Sequence, residues 1–142
     1  MILPLRSYVR EAPSKDAKSV FIFCEGKKRE FQYFSYFSNL DSRINIKVYE
    51  LDEHDDNSPL GLLNIAINCF TPNPNDLESE YSFVEGDEVW IILDRDKDKL
   101  DSRVPQIAKI KRECSERAGW NMTISNPCFE VWLYYHKFSI KP

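Results

Sequence analysis

The sequence predicts an α/β protein, a three-layer α/β/α domain around a mainly parallel, four-stranded sheet. Three observations carry that expectation. Ser19-Val20-Phe21-Ile22-Phe23-Cys24 and Val89-Trp90-Ile91-Ile92-Leu93 are apolar almost throughout, as strands buried on both faces are. Segments with strand and helix patterns alternate along the chain as β-α-β-α-β-α-β-α. The 142 residues, 42% hydrophobic and 30% charged, suffice for one domain with a real core.

Residues 1–18 mix Pro4, Pro13, charges and small polar residues, and read as an N-terminal arm that is poorly ordered unless docked. Residues 19–142 read as the single domain. The first strand ends at Glu25-Gly26, where glycine permits a tight turn or a close backbone approach. Glu30 to Leu40 follows as a helix whose Phe31, Phe34, Phe37 and Leu40 share a face, read as core. Ile44 to Leu51 alternates apolar and polar, as a half-buried strand near a sheet edge does. Asp52-Glu53-His54-Asp55-Asp56 reads as an exposed acidic loop, or as the source of one extra metal ligand.

Ser58-Pro59 has the form of an N-cap followed by proline at the first helical position, with the helix running to Phe70. Residues 71–87 hold Pro72, Pro74 and Gly86 and read as a long, functional or mobile loop. After the central strand, a helix is expected from Ser102 or Arg103 to Ala118, closed by Gly119. Trp120 to Ile124 is a short strand, and Asn126-Pro127 opens a last helix carrying Phe129, Trp132, Leu133 and His136 on its inner face.

Composition narrows the function. No apolar run approaches the roughly 20 residues of a membrane span, and the N-terminus does not read as a signal peptide. Cys24, Cys69, Cys114 and Cys128 form no C-x-x-C pair, and read as reduced thiols of a cytoplasmic protein. A net charge of −4 gives no global basic signature for nucleic acid, so any such partner needs a local patch or a cation.

The chemistry concentrates where strands end. Asp94 and Asp96 lie two residues apart and share a face if the strand continues, while Arg95 and Lys97 point away. Two carboxylates about 4 Å apart repel by roughly 4 kcal/mol at an effective dielectric near 20. A divalent cation removes that repulsion and uses the oxygens as ligands, whereas a solvated turn would leave them in water. Lys27, Lys28 and Arg29 stand where a helix begins, which its dipole disfavours; a polyanionic ligand would explain them, as would simple solvation. In parallel α/β sheets ligands bind beyond the carboxyl ends of the strands. Glu25, Asp94, Asp96 and the segment Ser125 to Glu130 all fall at that edge.

Three blocks in this order carry a family resemblance: Phe23-Cys24-Glu25-Gly26-Lys27-Lys28-Arg29-Glu30-Phe31, then Leu93-Asp94-Arg95-Asp96, then Ser125-Asn126-Pro127-Cys128-Phe129-Glu130-Val131-Trp132. They resemble the RloB family, small bacterial proteins associated with restriction and phage-defence loci, with a fold similar to the Toprim domain of topoisomerases and primases. The resemblance implies that Glu25, Asp94 and Asp96 bind Mg²⁺ or Mn²⁺, that Glu25 alternatively moves a proton, and that Glu130 adds a further acid. Lys27, Lys28, Arg29 and Asn126 would contact phosphates. Many family members have Glu-Lys-Thr-Glu where this chain has Lys27-Lys28-Arg29-Glu30, which makes this segment more basic. Such proteins generally run further, so this chain reads either as a shortened form or as a short member of the family.

The implied function is Mg²⁺-dependent phosphodiester hydrolysis of DNA or RNA in a bacterial defence context. The alternative is a non-catalytic Mg²⁺/nucleotide- or nucleic-acid-binding subunit, working with a defence-system partner or as a homo-oligomer. A phosphotransfer domain is less well matched, because haloacid-dehalogenase-like folds carry their Asp-x-Asp on the first strand and here it follows the third.

Overall fold

The computed structural model describes residues 9–26, 28–75, 77–94 and 100–125. Within them the chain runs β1 (Lys18–Cys24), α1 (Arg29–Tyr36), β2 (Ile44–Val48), α2 (Pro59–Phe70), β3 (Glu88–Asp94), α3 (Leu100–Ser115) and β4 (Trp120–Ser125). All three strand pairings are parallel, in the order β2-β1-β3-β4. The α/β expectation holds. The expected fourth helix, from Asn126, lies outside the described residues.

The period of two along β1 divides its side chains between two layers. Phe21 and Phe23 point into the larger core with Val89, Ile91 and Leu93 of β3, Leu62, Leu63 and Ala66 of α2, and Ile110 and Cys114 of α3. Ile22 and Cys24 point the other way with Ile92, where Phe34 of α1, Ile46 and Val48 pack on them. Helices α2 and α3 therefore cover one face of the sheet and α1 the other. The two apolar runs are its two central strands, and the alternating β2 lies at its edge.

Local chemistry sets most boundaries. Ser58 caps α2 by accepting from the Gly61 N–H at 3.2 Å, with Pro59 at the first position. Helix α1 stops at Tyr36, four residues before the expected end, and the chain turns through Asn39 at φ 63°. Asparagine tolerates that left-handed conformation better than larger residues. The aromatic face of α1 is only partly core: Phe34 packs inward, whereas Phe37 is 37% exposed. Arg10 donates to the carbonyls of Tyr36 and Ser38 at 3.0 and 2.6 Å, a favourable cation at a helix C-terminus. With the Glu11 N–H on Asn39 and the Ser14 N–H on Ser42, this docks the described part of the arm.

Three other expectations shift. β2 ends at Val48, yet the Tyr49 N–H still pairs with Ile22 and Leu51 is buried. The long loop after α2 is anchored in the core by Tyr81, whose ring meets Phe21 at 5.0 Å and whose N–H donates to Cys69. Helix α3 runs from Leu100 to Ser115, beginning ahead of the expected start and ending three residues before Ala118, with Pro105 inside it.

Asp87, 4% exposed, accepts from the Ser19 N–H and the Val84 N–H, each at 3.0 Å. This acid near the start of β3 fastens the chain ahead of that strand to β1. Asp87→Ala strands two backbone donors and is expected to cost about 2 kcal/mol in urea unfolding. Leu77→Ala, at a site 81% exposed, should change stability by no more than about 0.5 kcal/mol in the same measurement.

Candidate functional site

The strand order fixes where a ligand can bind. From β1 the chain passes through α1 to β2 on one side, and later returns to β3 on β1's other side. The helices leaving β1 and β3 pack on opposite faces. A crevice therefore opens between the carboxyl ends of β1 and β3, the switch point of an open α/β sheet. Glu25 follows β1 and Asp94 ends β3. Both line one cleft of about 430 Å³, with Gly26, Lys28, Arg29, Glu30 and Asn57.

Glu25 is held from two directions. Its Oε1 accepts from the Asp94 backbone N–H at 3.3 Å and pairs with Nη2 of Arg103. The same Nη2 donates to the Asp94 carbonyl at 2.7 Å. One guanidinium thus ties the ends of two central strands to the first turn of α3. The side chains of Arg103 and Glu25 are 9% and 12% exposed. Burial, the largest effect, pushes the Glu25 carboxyl above the ordinary glutamate range, while Arg103 pulls it back and the Asp94 charge adds a small push upward. The neighbouring Cys24 thiol is pushed up to about 12, first by burial and then by the charges of Glu30 and Asp94. Three carboxylates thus act on this corner of the sheet.

Lys28 is the N-cap of α1 and Arg29 its first residue, and both are exposed. Glu30, 5% exposed in the first turn, is the favourable charge for that helix end. None of residues 52–56 lines the cleft, and most of them are exposed. Lys27, Asp96, Asn126 and Glu130 lie outside the described residues. Among the described residues no group of three His, Cys, Asp or Glu side chains is disposed to hold a metal ion. Glu25 and Asp94 are hard oxygen donors of the kind Mg²⁺ and Mn²⁺ take, so the residues present fit part of such a ligand set.

Arg103, Glu30 and Asn57 were not singled out from the sequence. A signal existed for Arg103: like Arg29, it places a cation in a first helical turn, against the dipole. For Glu30 the signal is its place in a first helical turn, where the dipole favours an acid. Asn57 carries no pattern that points to the cleft.

Gly26 explains the tightness of this corner. A Cβ there would collide with the Glu30 carboxylate. Gly26→Ala must displace a buried side chain, and is expected to cost about 1–3 kcal/mol in urea unfolding. Adding Glu30→Ala should recover part of that loss, because the two residues are in contact; strict additivity in the double variant would contradict the close approach.

The comparison with protein families agrees with the resemblance read from the sequence. The family model described as RloB-like protein matches residues 20–140. No curated protein and no solved structure matches the chain. With nearly its whole length covered by that one model, the chain belongs to the RloB-like family.

Proposed function

We propose that this protein is a Mg²⁺- or Mn²⁺-dependent phosphodiester hydrolase of Toprim type, acting on nucleic acid in bacterial defence. The observation that carries this reading is the joint placement of Glu25 and Asp94 on one cleft at the switch point, together with exposed Lys28 and Arg29. Asp94 and Asp96 would hold the cation, with Glu25 as a further ligand or as the group that carries a proton. When bound, the cation would polarise a phosphoryl oxygen and acidify a coordinated water.

The remaining work falls to the chain. Glu25 sits where burial raises its affinity for a proton, which suits a group that accepts one and passes it on. Lys27, Lys28 and Arg29 would draw in backbone phosphates, offsetting locally a chain of net charge −4. Asn126 would contact a phosphate, and Glu130 would add a further metal ligand or an acid that orients water.

The test is cleavage of plasmid, single-stranded DNA and total tRNA with Mg²⁺ or Mn²⁺. Asp94→Asn and Glu25→Gln should each lower the rate by at least about 100-fold. Wild-type activity in Asp94→Asn would sink the assignment, and binding without cleavage by the wild type would identify a regulatory subunit instead. For the phosphate contacts, Lys28→Ala and Arg29→Ala should each reduce the slope of log affinity against log salt by about one, for any sequence bound. An unchanged slope would remove these residues from the interface.

A further inference from the structure

We propose that Arg103 is a positioning residue, which fixes Glu25 through one carboxylate oxygen so that the other serves the cleft, and that it thereby sets the cleft's affinity for a divalent cation. The inference rests on the cation reading above and adds to it a residue that the sequence motifs do not contain.

Geometry carries the argument. The Arg103 guanidinium and the Asp94 amide both bind Oε1 of Glu25, so Oε2 is the oxygen left to the cleft that Glu25 lines. Arg103 Nη2 also holds the Asp94 carbonyl, so the two acid-bearing strand ends share one anchor. A glutamate at a strand tip has three side-chain torsions, and two contacts on one oxygen remove most of that freedom. A planar guanidinium does this with fixed geometry, where a lysine ammonium would act as a mobile point charge.

Stability does not account for the arrangement. Arg103 lies in the first turn of α3, where the helix dipole opposes a cation. Among the described residues its buried Nε has no hydrogen-bond partner, a cost that native proteins accept where other contacts over-determine the position. A buried ion pair recovers little beyond its own desolvation. A residue that bears these penalties to hold a carboxylate at the cleft is placed for the carboxylate's orientation.

The experiment is calorimetric titration of the purified full chain with MnCl₂. Arg103→Lys keeps the charge but loses the fork, and is expected to bind Mn²⁺ about 10-fold more weakly than wild type, the usual effect of removing a group that orients a ligand. In a Glu25→Ala background the same substitution should have a clearly smaller effect, limited to what passes through the Asp94 carbonyl, because Arg103 acts chiefly through Glu25. Circular dichroism checks folding, and Arg103→Gln is read in place of Arg103→Lys if the latter unfolds. Unchanged or tighter Mn²⁺ binding in a folded Arg103 variant overturns the proposal, as does loss of folding in both variants. A wild type that takes up no Mn²⁺ overturns the cation reading and this inference together, whereas wild-type binding matched by Arg103→Lys overturns only the role of Arg103.

Discussion

A carboxylate at the end of a buried central strand needs a compensating charge, and in this protein Arg103 supplies it to Glu25. Burial drives the Glu25 carboxyl toward its protonated form, and the guanidinium beside it acts in the opposite direction. Removing either partner alone would leave the other charge buried and unpaired, which is where the cost of such pairs lies. The pair is also a spatial constraint. Through Oε1 of Glu25 and the Asp94 carbonyl it holds the tips of β1 and β3 and the start of α3 in one arrangement.

That arrangement needs a rigid platform, and the core beneath it provides one. Phe23 stacks on Tyr49 at 5.5 Å, and Phe21 meets Phe70 edge-on at 4.9 Å and Tyr81 at 5.0 Å. These rings link β1 to the residue that follows β2, to the end of α2 and to the loop after it, so the strand that leads to Glu25 is braced on several sides. Cys24, beside Glu25, is buried on the opposite face with Ile22 and Ile92. Alternation along one strand thus anchors it in both layers before the acid emerges at its end.

Acids in this chain play different parts according to where a strand places them. Asp87 precedes β3 and satisfies two backbone donors, so it belongs to the scaffold. Asp55 and Asp56 accept backbone N–H groups of their own turn, from Asp52 and Ser58. Glu25 and Asp94 stand at carboxyl ends, where the backbone has finished pairing and side chains face a crevice. The distinction comes from topology, since nothing in the residue type separates Asp87 from Asp94.

The amino-acid sequence by itself determined the strands, the α/β class and the acids at the strand ends. Apolar runs, the Ser58-Pro59 start of α2 and the alternation of Ile44 to Val48 are local signals, fixed by residues a few positions apart. Helix ends were less legible: α1 stops early because the chain turns through Asn39, a backbone choice that aromatic periodicity does not encode. Only the tertiary structure decided the order β2-β1-β3-β4, and with it the crevice that brings Glu25 and Asp94 together across 69 positions. It also decided that Arg103, 78 positions from Glu25, completes the site. An ion pair over that separation forms because two central strands and a helix on one face converge, and convergence is a property of packing that no short window of sequence contains.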